Sequence, residues 1–299
     1  MAVSPPSPVP PINALTFDVE DWYHGFGLPP STWSDCEPRL AIGLTRILEL
    51  LDTHKVTATF FVLGGLVDPW RSLLGQVADA GHEIATHGYW HAPIYRLSPA
   101  GFADDLQRAL AGLRTITDKP IRSYRAPFFS ITRKSLWALP ILAEAGITCD
   151  SSIVPAHNPR YGIPDAQRFP HLVSSGKSAA GQLLECPIST IALGKVNVPF
   201  GGGFYARLLP YRLIRAAVRR HNAAGQPAIF YFHPWELDPD HPRISDTVPT
   251  LYRLTHYYRL DRTAARLEAL LGDFRFGPLS ALPGGIRPSR TDSRGAVDL

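Results

Sequence analysis

The sequence predicts a single α/β domain, a parallel barrel of the TIM type with long loops at the carboxyl ends of its strands. Two observations lead to this fold class. Strand-like and helix-like segments alternate about seven times between residues 12 and 283, which is typical of parallel βαβ units. Five of the predicted strands also end in a chemically reactive side chain. In a parallel barrel all carboxyl ends of the strands lie on one face, so the fold would collect these side chains in one cup.

The predicted strands are short apolar runs rich in β-branched and aromatic residues. They span residues 12–17, 58–63, 83–85, 121–124, 147–149, 183–188 and 228–232. The predicted helices lie between or after the strands, where apolar residues recur at helical spacing, and span residues 40–51, 69–80, 99–117, 132–145, 210–223 and 262–271. The connection 151–183 is too long for an ordinary loop and is expected to fold over the cup.

The composition is that of a globular protein, since 45% of the 299 residues are hydrophobic and 19% are charged. The 24 glycines and 29 prolines predict many rigid loops. Five of these prolines lie within residues 1–11, predicted as a disordered or extended leader, and residues 284–299 are predicted as a frayed tail. The barrel is therefore expected over residues 12–283.

Charge, hydropathy and cysteine use indicate which partners and which cellular compartment to expect. The net charge is +4 and no nucleic-acid motif accompanies it, so no nucleic-acid partner is predicted. No apolar run approaches the ~20 residues of a membrane span, and residues 1–11 lack a signal-peptide pattern. Cys36, Cys149 and Cys186 form no CxxC pattern, which favours a reducing compartment or buried thiols. We expect a cytoplasmic protein.

The reactive side chains at the strand ends are Asp18, His87, Arg125, Asp150 and His233. His87 and His91 are four residues apart, a spacing that can aim two imidazoles at one metal ion. Glu20 and Asp21 add carboxylates beside an aromatic run, which is costly unless the acids are paired, protonated or metal-bound. Two histidines and one carboxylate leave open positions on a divalent ion, as in a catalytic site. Zinc is the first choice, although cobalt, nickel and manganese also suit these ligands.

Five short segments, taken together and in order, resemble the five motifs of the polysaccharide deacetylases, the NodB-like domain of carbohydrate esterase family 4. They are Thr16-Phe17-Asp18, His87-Gly88-Tyr89-Trp90-His91, Arg125-Ala126-Pro127-Phe128, Asp150-Ser151-Ser152 and Phe232-His233-Pro234. Segments 157–170, 201–205 and 233–239 also resemble a subgroup associated with exosortase-linked exopolysaccharide loci. The resemblance runs from Asn13 to about Leu282, and about residues 195–283 form its family-specific C-terminal part.

The resemblance implies a distorted (β/α)7 barrel and metal-dependent hydrolysis of N-acetyl groups on amino sugars. It implies Asp18 as the catalytic base, His87 and His91 as metal ligands, Arg125 as the residue that holds the base, Asp150 as its motif partner, and His233 as the general acid.

One departure concerns the metal carboxylate. The family's first motif has adjacent aspartates, base then ligand, whereas Val19 follows Asp18 here. Because side chains alternate along a strand, an acid two residues on lies on the same face, so Glu20 is the first choice. Asp21 is the alternative if the chain turns directly after Asp18.

The chemistry of amide hydrolysis assigns the remaining roles. An acetamide needs an activated water, a stabilised oxyanion and a protonated leaving amine. The backbone N–H of Phe128 would help to hold the oxyanion, and a carboxylate such as Asp150 would favour the protonated form of His233. Four aromatic residues beside the motifs are candidates for stacking on a sugar ring: Trp22, Tyr23, Tyr205 and Trp235. The glycines 201–203 would either admit a glycan against the backbone or make a tight turn.

The resulting hypothesis is a metal-dependent N-deacetylase of an N-acetylhexosamine-containing polysaccharide or its lipid-linked precursor. An enzyme peripheral to the inner membrane, associated with membrane-bound polysaccharide synthesis machinery, fits the precursor. Two alternatives stay open: an amidohydrolase of the same barrel acting on a small cyclic amide or ureide, and an inactive carbohydrate-binding scaffold. The resemblance keeps the ureide alternative open, because family relatives with separated acids in the first motif include such enzymes. The presence of a candidate for every proton-transfer role disfavours the scaffold.

Overall fold

The computed structural model describes residues 11–158, 160–174, 182–244 and 248–282. Nearly all of the predicted leader, residues 1–10, and the predicted tail, residues 284–299, lie outside the described residues. No helix in these described ranges is long and apolar enough to cross a membrane.

The described part of the chain contains 11 strands. In chain order they are β1 (Asn13–Val19), β2 (Thr59–Val62), β3 (Glu83–Thr86), β4 (Ser123–Tyr124), β5 (Cys149–Asp150), β6 (His171–Ser174), β7 (Gln182–Glu185), β8 (Thr190–Leu193), β9 (Val196–Pro199), β10 (Ile229–Phe232) and β11 (Phe276–Gly277). The main sheet has the order β10-β1-β2-β3-β4-β5-β7-β6, with β11 beside the start of β1. Its strands are parallel from β10 to β7, and β6 is antiparallel at the edge.

Helices follow most of these strands. They are α1 (Leu40–His54), α2 (Val67–Asp79), α3 (Pro99–Leu113), α4 (Ala138–Glu144), α5 (Gly203–Leu208), α6 (Tyr211–Ala223), α7 (Thr250–Tyr257) and α8 (Thr263–Asp273). The sequence predicts six of them, with α4 too long. A helix from residue 132 would carry Pro140 in its interior, whereas the observed start at Ala138 places this proline in the first turn, where it is tolerated.

The sheet curls into a half-barrel, so the predicted distorted (β/α)7 architecture is confirmed. The chain between β7 and β10 contacts β10 through backbone hydrogen bonds at Ser189 and Gly201. The Ser189 N–H donates to the Ile229 carbonyl (3.2 Å), and the Tyr231 N–H donates to the Gly201 carbonyl (2.8 Å). The hairpin β8–β9, the edge strand β6, and the short α5 and α7 were not predicted, because each has too few residues for a clear periodicity.

The glycines 201–203 bring this bridging segment against β10. A Cβ on Gly201 would lie 2.2 Å from the Ile229 carbonyl oxygen, and one on Gly203 would lie 2.1 Å from a carboxylate oxygen of Glu236. These approaches are closer than any side chain permits. The glycines therefore allow close packing within the barrel. The sequence predicted a glycan contact or a tight turn for them instead.

Candidate active site

The alternation of β1 positions the first two acids. Leu15, Phe17 and Val19 pack in the largest core cluster with apolar residues of α1, α2 and α8. Ala14 lies in a separate cluster with inward residues of β2, β3 and β10. The even-numbered residues of β1 therefore face the barrel interior, and Asp18 and Glu20 follow one another at its carboxyl end.

Three buried side chains form a candidate metal centre. One carboxylate oxygen of Glu20 lies 3.0 Å from Nε2 of His87 and 2.8 Å from Nε2 of His91. Nδ1 of His87 lies 2.8 Å from the Arg125 carbonyl, which orients that imidazole with Nε2 toward Glu20. Two imidazole nitrogens and a carboxylate oxygen converging within 4.8 Å match the donor set of a divalent metal site.

Asp21, the alternative carboxylate, is directed elsewhere. One of its oxygens accepts the backbone N–H groups of Arg39 (2.8 Å) and Leu40 (3.0 Å) at the start of α1, and the other accepts that of Trp22 (2.9 Å). The carboxylate therefore caps a helix and is separated from the histidine pair. Glu20 occupies the place that the alternation of a strand predicts.

The carboxylate of Asp18 is held by a buried arginine. Nη1 of Arg125 donates to Oδ1 of Asp18 at 2.6 Å and to the hydroxyl of Thr16 at 2.8 Å. Its other nitrogens donate to the carbonyl and hydroxyl of Ser151. Arg125 is 0% exposed, so it has a fixed position and Oδ2 of Asp18 is left to face the cavity.

His233 lies beside the candidate metal centre, where one of its ring nitrogens and carboxylate oxygens of Asp18 and Glu20 lie within 4.8 Å of one another. Its Nε2 is 4.0 Å from Oδ2 of Asp18, and its Nδ1 is 3.1 Å from a carboxylate oxygen of Glu236. Arg207 donates to the other oxygen of Glu236 at 2.7 Å. Burial alone would lower the pKa of His233, but the hydrogen bond to Glu236 and the charges of Glu20, Glu236 and Asp18 outweigh burial and raise the pKa to about 9.

The placement of Asp150 corrects the sequence interpretation. Its carboxylate accepts a hydrogen bond from the Ser152 hydroxyl (2.5 Å) and pairs across the sheet with Glu185, so Glu236 takes the place beside His233 that was expected for Asp150. Burial raises the pKa of Asp150 to about 6, and burial and the charge of Asp150 raise the pKa of Glu185 well above its ordinary value. The spacing of His233 and Glu236, three residues apart, was a sequence signal for this contact.

The predicted sugar platforms separate into two groups. Trp22 and Tyr23 are 6% exposed and pack in a buried aromatic cluster, so they do not offer a face to a glycan. Trp235 is also largely buried but borders the cavity, where its ring is stacked 4.9 Å from that of His233. Tyr205 and Phe128 line the cavity as well, and Phe128 has a left-handed backbone (φ 55°) against His91.

The cavity measures about 390 Å³ and is open at one side. One end of it, the candidate catalytic end, is lined by Asp18, Glu20, His91 and His233. The rest of its wall comes from the connection after β5, from α5 and from α7, and includes Arg160, Tyr161, Phe204, Tyr205, Leu251, Tyr252 and Thr255. The cup therefore contains acids and histidines that can exchange protons. Beside them lies a walled groove of sufficient volume for a sugar unit.

Comparisons with known proteins agree with this geometry. Residues 12–149 match the family described as polysaccharide deacetylase, and residues 151–283 match one described as a domain of unknown function, DUF3473. A chitooligosaccharide deacetylase of Bradyrhizobium sp. (strain ANU 289) is 32% identical over 100 residues, which cover 33% of this chain and 43% of that protein. A peptidoglycan deacetylase-like protein of Gibberella zeae is 24% identical over 190 residues, covering 63% and 54%. The chain thus spans about half the length of these curated relatives.

A solved structure supports the fold. The crystal structure of a Mycobacterium smegmatis protein assigned to the polysaccharide deacetylases superposes with a TM-score of 0.58 and 19% identity over 91% of both chains. Strands β7 and β10 lie in the second matched segment, which also carries His233, Glu236 and most of the cavity wall. Residues 12–149 are therefore similar to the polysaccharide deacetylase family, and the sheet that they begin is completed by strands from residues 151–283.

Proposed function

We propose that the protein is a metal-dependent N-deacetylase of a glycan that contains N-acetylhexosamine. The observation that carries this proposal is the meeting of two groups in one cavity. The metal-type cluster of Glu20, His87 and His91 lies next to Asp18 and His233, whose facing atoms are 4.0 Å apart. The names of the relatives, which include chitooligosaccharide and peptidoglycan deacetylases, support an N-acetylated glycan as substrate.

Glu20, His87 and His91 would hold the metal, with zinc as the first choice for these ligands. When bound, a divalent cation supplies Lewis acidity toward the acetyl carbonyl and lowers the pKa of water. The chain itself keeps the site ready for this ion, because His87 is oriented by the Arg125 carbonyl and His91 approaches the same oxygen of Glu20.

Asp18 acts as the general base. Its Oδ1 is occupied by Arg125, so Oδ2 is the oxygen that accepts a proton from the attacking water. Thr16 and Ser151 fix Arg125 in turn, so the base cannot rotate out of line.

His233 acts as the general acid. The carbon–nitrogen bond of the acetamide breaks as the nitrogen takes a proton, and Nε2 of His233 faces the cavity while Nδ1 is bound to Glu236. A pKa near 9 keeps the imidazole protonated at neutral pH before the reaction. Acetate and the free amine are the products.

The natural substrate is proposed to be a bacterial exopolysaccharide or its lipid-linked precursor, in line with the exosortase-associated subgroup. This proposal rests on the motifs in segments 157–170, 201–205 and 233–239. If the substrate is the lipid-linked precursor, the enzyme acts in the cytoplasm beside membrane-bound synthesis machinery. Fractionation of cells that produce the full chain tests this, since a precursor enzyme should be found in the cytosol or on the inner face of the membrane.

Acetate release is the decisive measurement. Zinc-loaded protein is incubated with N-acetylated chitooligosaccharides and with bacterial exopolysaccharide, before and after chelation, and beside the Asp18→Asn variant. We expect acetate from the loaded wild type alone, and recovery when zinc is returned. Turnover of an allantoin-like ureide without any acetate from glycans would instead support the ureide alternative. Glycan binding without turnover in both wild type and Asp18→Asn would support the scaffold.

A further inference from the structure

The cavity continues well beyond the catalytic end, and one of its walls carries an arginine. Arg160 lies in the connection between β5 and β6, and its guanidinium carbon is 3.5 Å from the ring centroid of Tyr252 on α7. Both residues line the cavity and are partly exposed. The backbone N–H of Arg160 donates to the side-chain oxygen of Asn158 at 2.9 Å, which holds the loop in place.

The other charged groups of the cavity have partners. Asp18 is paired with Arg125, Glu20 contacts both metal-type histidines, and Arg207 is bound to Glu236. Among the described residues, no carboxylate lies within 4.0 Å of the Arg160 guanidinium, so this cation faces the cavity without a counter-ion. An arginine held by stacking on an aromatic ring keeps its edge N–H groups free for a planar anion.

We propose that Arg160, stacked on Tyr252, forms a subsite for an anionic group of the substrate, so that the enzyme prefers acidic N-acetylated glycans to neutral ones. This inference rests on the proposed deacetylase function and specifies its substrate class. Guanidinium binds carboxylates and phosphates through paired hydrogen bonds. The anion is therefore either the carboxylate of a neighbouring sugar or the phosphate that links the first sugar to a carrier.

The position of the subsite is consistent with this role. Arg160 shares the cavity with Asp18 and His233 and stands on the wall built by α7 and the loop after β5. The carboxylates at the catalytic end would repel a second anion there, whereas Arg160 attracts one. An acidic substrate would thus be oriented with its acetamide at the catalytic end.

Matched substrates test the proposal. Initial rates are measured on an N-acetylglucosamine tetramer, on a tetramer in which N-acetylglucosamine alternates with glucuronate, and on N-acetylglucosamine 1-diphosphate esters. For Arg160→Gln we expect kcat/KM on the preferred anionic substrate to fall about 10- to 100-fold, mainly through KM, because a charge-assisted contact is lost. The neutral tetramer should change less than about twofold, and Arg160→Lys should retain part of the preference. The substrate whose rate falls identifies the anion as carboxylate or phosphate.

Controls separate a binding role from a structural one. Arg243→Gln removes an arginine that also stacks on a tyrosine, Tyr257, but lies outside the cavity, and it should leave all rates unchanged. Equal losses on neutral and acidic substrates, or no loss on either, would overturn the proposal. Thermal midpoints of the variants show whether an equal loss comes from unfolding.

Binding to the Asp18→Asn variant distinguishes this proposal from the deacetylase function. Calorimetric titration with the acidic tetramer, compared with Asp18→Asn combined with Arg160→Gln, needs no turnover. Binding that depends on Arg160, together with no acetate release by the wild type, would support the subsite and reject the deacetylase. Acetate release by the wild type, together with binding that is independent of Arg160, would support the deacetylase and reject the subsite.

Discussion

The carboxylate of Glu236 binds His233 twice, at Nδ1 of the imidazole (3.1 Å) and at the backbone N–H (2.9 Å). The two contacts fix both the position and the orientation of the ring, so Nε2 is presented to the cavity. Arg207 in turn keeps Glu236 ionised: burial would raise the pKa of Glu236, but the charge of Arg207 and the contact with His233 lower it. The imidazole proposed as the general acid is thus supported by a buried chain of charges that begins with Arg207 on α5.

Replacing Glu236 should shift the alkaline limit of activity. In the wild type the pKa of His233 is raised to about 9, so the imidazolium is present at neutral pH and is lost as the pH rises through that value. Glu236→Gln removes the hydrogen-bonded charge and lowers this pKa, so the fall in kcat should begin at a lower pH. The profile of kcat against pH measures it, and exposed Asp240→Asn is the control that should leave the profile in place. An unchanged alkaline limit in Glu236→Gln would contradict the assignment of His233.

Glu20 and Asp21 should differ in role: Glu20 should support metal binding, and Asp21 should support folding stability. Glu20→Gln should weaken zinc binding by more than about 100-fold, because it replaces the anionic carboxylate that both His87 and His91 approach by a neutral amide. Asp21→Asn should keep the metal but lower the free energy of unfolding by about 1–2 kcal/mol, since Asp21 caps the start of α1. Metal content after dialysis and urea unfolding report the two effects. Loss of metal in Asp21→Asn alone would reverse the assignment.

Asp18→Asn should abolish proton abstraction while leaving the metal site intact. Asn keeps an oxygen for Arg125 but cannot accept a proton, so we expect kcat to fall by about 10²- to 10⁴-fold. Zinc stoichiometry should match that of the wild type, because Glu20, His87 and His91 are unchanged. A variant that keeps full activity would exclude Asp18 as the base.

The buried pair of Asp150 and Glu185 should make folding stability fall with pH. Burial raises the pKa of Asp150 to about 6, and burial together with the charge of Asp150 raises the pKa of Glu185 well above its ordinary value. The contribution of the pair to stability is therefore full below the unfolded values near 4 and is lost as the pH rises through the folded values. Glu185→Gln keeps the contact with the Ile153 N–H and removes one acid. The loss of unfolding free energy between pH 5 and pH 8 should shrink by about 1–3 kcal/mol.

Exposed Glu144→Gln on α4 is the matched control for this experiment and should leave the pH dependence of unfolding unchanged. Equal slopes in Glu185→Gln and the wild type would show that the pair is not strained by its charge.

Gly203 should tolerate no side chain. Gly203→Ala would place a Cβ 2.1 Å from the Glu236 carboxylate, displacing the group that holds His233, so we expect loss of both stability, by about 2 kcal/mol or more, and activity. Gly75→Ala on α2 has no atom within 4 Å of its Cβ and should instead stabilise by about 0.5–1 kcal/mol. Thermal unfolding and acetate release compare the two. A fully active Gly203→Ala would show that Glu236 can move without cost.

The amino-acid sequence was sufficient to predict the features that depend on local periodicity and on the direction of the strands. Alternation along β1 places Asp18 and Glu20 on one face, and the parallel arrangement brings the ends of strands 100 or more residues apart, such as those before Arg125 and His233, to the same cup. These features follow from neighbouring residues alone, so pattern reasoning reaches them.

Which groups meet across the cup depends on tertiary packing. It brought Glu236 and Arg207 to His233, paired Asp150 with Glu185, buried Trp22 and Tyr23 and set Arg160 on Tyr252. Each contact depends on how loops and short helices pack, and neither α5 nor α7 has a periodicity long enough to read. A side chain's partner is chosen by the free energy of the whole packed arrangement, which no local pattern contains.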